Sequence, residues 1–168
     1  MRRIAFLAVL AAILAGCGGD NGPPLPPNAI ARVGGDRLIT RAQFDAAMNQ
    51  TRHVFSVLKR PFPKPGTPEY DQIKDSNVAL LVDRARIEVE AKRAGIVVTA
   101  AQVEARLREF KKSLGEARYR QRLRQTGLPE SAYRAGFRTG LLLRRLRGVK
   151  PTNPKVVFAK GWKPAGAP

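Results

Sequence analysis

Apolar residues recur every three or four positions through most of the chain, which is the spacing of one face of an α-helix. The first such stretch begins after Thr40 and carries Phe44, Met48 and Phe55 on one side. Four more helices are predicted at about residues 69–94, 99–114, 117–125 and 130–147. The pattern therefore predicts a mainly α fold, a small bundle of about five helices.

Local start and stop signals support these boundaries. Thr40 is followed three residues later by Gln43, and Thr99 by Gln102, which is the capping-box spacing at a helix N-terminus. Gly95 with an apolar residue beyond it is typical of a Schellman stop. Glycines also follow the third and fourth predicted helices, at positions 115 and 127.

The segments outside the helices are short or rich in proline and glycine. Residues 29–39 read as two short strands around a Gly-Gly-Asp turn, and residues 60–68 hold four prolines and read as an exposed loop. Residues 148–168 again carry many prolines, so we expect a disordered, basic, Pro-rich tail, in which residues 156–158 are a candidate short strand. The helical domain is expected to span residues 29–147.

The N-terminus has the organisation of a secretory signal. Arg2 and Arg3 precede an apolar run at residues 4–14, which is too short to span a bilayer as a helix. The run ends in Leu-Ala-Gly-Cys, with Gly16 and Cys17 at the cleavage point. This resembles the lipobox of bacterial lipoproteins, which implies lipidation of Cys17 and removal of residues 1–16. An ordinary secretory signal with an incidental cysteine is the alternative, and residues 17–28 read as a Gly/Pro tether.

The charge is the most unusual feature of the composition. A formal charge of +18 and a pI near 11.3 would fit a nucleic-acid binder. An anchor on an extracytoplasmic membrane face makes nucleic acid an improbable partner, and signal removal lowers the charge to +16. Arginines concentrate in the later helices, where they form either a solvated helix surface or a functional basic face. The candidate residues for that face are Arg118, Arg120, Arg122, Arg124, Arg144 and Arg145.

Candidate catalytic chemistry is sparse. With one cysteine and one histidine, the chain cannot form an internal disulfide or a cluster of several histidines around a metal. His53 falls off the apolar stripe of its helix and reads as a solvated residue. Because the sequence also shows no nucleophile, phosphate-loop or metalloprotease motif, we assign no catalytic residue, metal ligand or cofactor.

Three segments resemble SurA/PrsA-type foldases of the periplasm and cell surface. Residues 33–44 are similar to the family's Val-Asn-Gly-x-x-Ile-Thr-x-x-x-Phe opening, with Gly34 where Asn is usual. Residues 80–99 look like its second helix and Gly-Ile-x-Val-Thr stop, and residues 127–134 like the start of its last helix. The resemblance implies a helical chaperone domain that binds unfolded or newly exported polypeptides. Many members add a parvulin isomerase domain, which we do not expect here.

The resemblance leaves three functions open. The first is a lipid-anchored, chaperone-like protein without isomerase activity. The second is an adaptor lipoprotein that docks an envelope partner, anionic lipid or a wall polymer through its basic face. The third is an isomerase whose catalytic part is supplied in trans or is missing from this gene. Aromatic side chains that either bind clients or fill the core are Tyr70, Phe110, Tyr119, Tyr133 and Phe137.

Overall fold

The computed structural model describes residues 23–167, and this part of the chain is mainly helical, as predicted. Two short strands lead into five helices, and a third strand follows them. The elements are β1 (Ala29–Val33), β2 (Arg37–Thr40), α1 (Arg41–Val57), α2 (Pro68–Arg93), α3 (Ala100–Leu114), α4 (Glu116–Thr126), α5 (Glu130–Arg145) and β3 (Val156–Phe158).

The predicted helix signals act where the sequence places them. At Thr40 and at Thr99 the threonine side chain accepts from the backbone three residues on, and the glutamine returns the bond, so both capping boxes are complete. Helix α2 ends in a Schellman motif, in which the Ile96 amide donates to the Ala91 carbonyl over 2.8 Å. Gly95 has a φ of 67° there, a conformation that glycine adopts without steric cost.

The three strands form one antiparallel sheet in the order β2-β1-β3. Val33 pairs with Arg37 on one side and with Val156 on the other. Beyond β3, the indole of Trp162 meets the ring of Phe44 edge-on, with 4.7 Å between centroids. The disordered tail expected after residue 148 is therefore wrong, because residues 156–162 complete the sheet and cover the start of α1.

Two hydrophobic cores lie one after the other along α2. The sheet, α1 and most of α2, as far as Val89, enclose the first core, which includes Ile30, Val33 and Val78. The last turns of α2 meet the start of α3 and the end of α5 in the second core, around Val98 and Leu142. The buried residues of both cores lie within residues 23–167.

The two proline-rich stretches before α2 are tied to the first core. Phe62, in the loop between α1 and α2, packs edge-on against Phe55 and Tyr70. Arg32, buried in β1, donates to the carbonyl of Pro23 over 2.6 Å and to that of Pro24 over 3.0 Å.

Within residues 23–167, no helix is both long and apolar enough to cross a bilayer.

Candidate functional site

A groove of about 410 Å³ opens where the β1–β2 turn, the end of α2 and the last turns of α5 meet. Its floor is aliphatic and is formed by Val89, Ala91, Ile96, Val97 and Leu142. Its rim is charged and carries Asp36, Arg37, Glu88, Lys92 and Arg138. An apolar floor with a few polar groups around it is the usual make-up of a binding site.

The Schellman turn after α2 creates the most exposed part of this floor. The chain leaves Gly95 in extended form, so neighbouring side chains point in opposite directions. Val98 faces inward and is 2% exposed, whereas Val97 faces the groove and is 70% exposed. In an extended segment, adjacent side chains point in opposite directions, so one of the two valines in the Ile-Val-Val-Thr run is expected to face outward. The sequence therefore contained an indication of an exposed valine here. None of the site residues predicted from the sequence lines the groove.

The rim is cross-linked by ion pairs. Arg37 Nε lies 2.5 Å from Oε2 of Glu88, and Lys92 pairs with Asp36. The hydrogen bond from Lys92, aided by its charge, lowers the pKa of Asp36. Two of the three cations are thus neutralised, and Arg138 instead donates to the Val98 carbonyl over 3.0 Å. The rim fixes the β turn and α5 on either side of the floor while leaving the floor open.

Four of the five aromatic residues predicted as client-binding candidates form one cluster elsewhere, between α3, α4 and α5. Phe110 stands at its centre, with ring centroids 6.2 Å from Tyr119, 5.8 Å from Tyr133 and 5.3 Å from Phe137. Tyr119 is 2% exposed, and the other three are half-buried. Tyr70 lies apart, with its ring 6.2 Å from Phe62 at the start of α2.

A network of charged side chains borders this aromatic cluster. Glu130 Oε2 lies 2.5 Å from Lys111 Nζ, and Oε1 lies 2.7 Å from Arg134 Nη2. The hydrogen bond from Lys111, followed by the one from the Tyr119 hydroxyl, lowers the pKa of Glu130 to about 2. Burial, followed by the bond to Glu130, raises the pKa of Tyr119 to about 12. The network holds α3, α4 and α5 together, and both carboxylate oxygens of Glu130 have partners in it.

The predicted basic residues separate into two groups. Those on α4 are exposed along that helix, and Arg120 pairs with Glu116 over 3.0 Å. Arg144 and Arg145 are exposed at the end of α5, where Arg145 donates to the Val97 carbonyl beside the groove. The basic residues predicted from the sequence therefore lie on two helices, α4 and α5.

His53 has a role that its position off the apolar stripe did not reveal. The side chain is exposed, as expected, but Nε2 donates to the Arg124 carbonyl over 2.9 Å. Its ring also lies against Gly127, where a Cβ would come within 2.2 Å of Cδ2. His53 therefore joins α1 to the end of α4.

Among residues 23–167, no three His, Cys, Asp or Glu side chains gather as a metal site would require.

The family model for the SurA-like N-terminal domain matches residues 1–147, and the chain belongs to that family. SurA-like domains are parts of extracytoplasmic chaperones, so the chain is related to chaperones. No curated protein and no solved structure matches it. Gly16 and Cys17, the predicted cleavage and lipidation residues, lie outside the described residues.

Proposed function

We propose that this protein is an extracytoplasmic, chaperone-like lipoprotein that holds unfolded or newly exported polypeptides in the groove beside Val97. The observation that carries the proposal is the groove itself: an aliphatic floor open to solvent, in a chain of the SurA-like N-terminal domain family. Exposed apolar surface of this kind favours contact with apolar side chains, which unfolded chains display and folded ones bury.

The size of the groove supports weak and reversible holding. A volume of about 410 Å³ admits a few side chains of an extended segment and excludes a folded partner. Burial of apolar area there would contribute about 25 cal/mol per Å² before the entropic cost of ordering the client. Because two of the three rim cations are already paired, we expect the aliphatic floor to dominate affinity.

The proposal assigns the chain a binding role and no catalysis of its own. The test uses a chain that begins at residue 23, which contains both cores, and measures the aggregation of a chemically unfolded substrate by light scattering. We expect slower aggregation at equimolar ratio, little changed by added salt, and no acceleration of prolyl isomerisation. An unchanged aggregation rate at large molar excess would overturn the holding role, and a stable stoichiometric partner in pull-downs would favour the adaptor function.

Anchoring through Cys17 is the second part of the proposal. It is supported by the Leu-Ala-Gly-Cys sequence and by the Gly/Pro-rich stretch after it. Two acyl chains on one residue would give stable attachment, whereas a single chain binds a membrane only marginally. In cell fractionation, we expect the wild-type protein in the membrane fraction and unprocessed precursor for Cys17→Ala. A cytoplasmic wild-type pool would contradict the anchoring and the location together.

A further inference from the structure

A second surface lies at the far end of α1, away from the groove. Val54, Val57 and Leu58 lie three and four positions apart, so they share one side of the helix end. They are 36%, 46% and 59% exposed, which is unusual for neighbouring large aliphatic residues. These three residues, with Lys59 and Arg60 in the turn that follows and Arg124 near the end of α4, are called the tip surface below.

The contact between α1 and α4 brings the two parts of the tip surface together. His53, next to Val54 in sequence, donates to the Arg124 carbonyl over 2.9 Å. The imidazole also fills the space above Gly127, where α4 ends. The last turn of α4, which carries Arg124, is therefore held beside the exposed aliphatic end of α1 by a specific packing contact.

The tip surface is basic. Its exposed basic side chains are Lys59, Arg60 and Arg124. None of these three is joined to an acid among the ion pairs of residues 23–167. The guanidinium of Arg60 instead lies over the ring of Phe55, 5.4 Å from the ring centre. The charges are available to an anionic partner.

We propose that the tip surface binds an anionic lipid bilayer, with the arginines and lysines at the headgroups and the aliphatic side chains inserted among them. The free energy of binding at a membrane interface has two favourable contributions, the apolar area that is buried and the electrostatic attraction to anionic lipid. The aliphatic residues favour a bilayer over a wall polymer or a nucleic acid, since those polyanions offer no apolar phase. The surface is separate from the groove and would orient a domain whose groove stays accessible to clients.

The test measures partition of the chain from residue 23 onto phosphatidylcholine vesicles with and without phosphatidylglycerol, by co-sedimentation. This chain lacks the lipidation site, so binding reports on the folded domain alone. We expect binding to the anionic vesicles and none to the neutral ones. Each basic residue near such a surface contributes about fivefold, so Lys59→Gln, Arg60→Gln and Arg124→Gln together should lower the partition coefficient by about a hundredfold.

Two matched controls make the test specific to this surface. Replacing Arg144, Arg147 and Lys150 by Gln removes the same charge from the end of α5 and should change binding less than about twofold. Val54→Ser with Leu58→Ser should weaken binding, whereas Leu80→Ser with Leu143→Ser, exposed elsewhere, should not. Circular dichroism confirms folding of each variant.

Three outcomes would overturn the proposal. The first is equal binding to neutral and anionic vesicles, and the second is an equal loss in the α5 control. The third is binding of polyglutamate through these same residues with no binding to vesicles, which would assign the surface to acidic polypeptides. None of these outcomes bears on the groove, whose holding role is measured separately by aggregation without vesicles.

Discussion

The hydroxyl group of Tyr119 donates a hydrogen bond to Oε2 of Glu130 over 2.9 Å, joining the first turn of α4 to the first turn of α5. The same carboxylate also pairs with Lys111 of α3, so one side chain links three helices. Arg134 extends the link to Glu104 of α3 over 2.5 Å. The aromatic cluster, whose residues the sequence analysis named as either client-binding or core, is therefore bordered by a polar network that joins three helices.

This network predicts a stability loss in acid, part of which should be absent in Glu130→Gln. The pKa of Glu130 is about 2 in the folded protein, below the ordinary 4.5, so folding favours the ionised form. Its stabilisation is complete above about pH 4.5 and disappears as the pH falls towards 2. Urea unfolding across this range should show a steeper loss for the wild type than for Glu130→Gln, which should be less stable at neutral pH.

Glu109 provides the matched control for that experiment. It pairs with Arg106 over 2.9 Å on the exposed side of α3, where an ion pair contributes little. Glu109→Gln should therefore keep the acid profile of the wild type. An acid profile of Glu130→Gln that also matched the wild type would show that the network does not stabilise the fold.

Gly127→Ala should destabilise the protein through two separable effects. The residue has a φ of 62°, which costs about 1 kcal/mol for a residue with a Cβ. The new Cβ would also lie 2.2 Å from Cδ2 of His53, so the imidazole must move. We expect a loss of about 2 kcal/mol or more in the free energy of unfolding, measured by urea denaturation.

A double-mutant cycle separates the two effects. In a His53→Ala background the clash is absent, so Gly127→Ala should cost only about 1 kcal/mol. Gly136→Ala is the control, because this helical glycine has open space around its Cβ position and should be neutral or slightly stabilising. Equal costs of Gly127→Ala in both backgrounds would contradict a packing role for His53.

The helices were predictable because their signals are local. Thr40 with Gln43, and Thr99 with Gln102, form caps within four residues of chain, and Gly95 acts on the turn beside it. Each such signal needs no partner from elsewhere in the fold. The sequence therefore located the α elements to within one or two residues.

The candidate strand at residues 156–158 is confirmed, but the groove and the pairing of this strand were not predictable in this way, since both depend on distant contacts. Val156 finds its partner in Val33, more than a hundred residues away, and nothing in a Pro-rich segment announces that pairing. Groove exposure of Val97 depends on where α5 packs, which periodicity does not encode. The many prolines and glycines of residues 148–168 led to the prediction of disorder, but such residues also occur in packed segments that contain no helix.

The packing of Trp162 predicts that the C-terminal segment stabilises the first core. Its ring contacts Phe44 and lies 5.1 Å from the guanidinium of Arg41 and 5.4 Å from Nζ of Lys74. Trp162→Ala should cost about 3 kcal/mol in urea denaturation, and Trp162→Phe should cost less. The wild-type fluorescence should be blue-shifted and should red-shift on unfolding, since this is the sole tryptophan. A neutral Trp162→Ala would mean that the segment is not part of the folded unit.

Val97→Asp should separate client holding from stability. The valine side chain is 70% exposed at the floor of the groove, so a carboxylate there stays hydrated and should change the free energy of unfolding by about 0.5 kcal/mol or less. A charge on the floor opposes the burial of an apolar client side chain, so suppression of aggregation should fall several-fold. Leu80→Asp introduces the same charge at an exposed leucine outside the groove and should leave suppression unchanged. If both variants suppressed aggregation as well as the wild type, the client would be held elsewhere on the molecule.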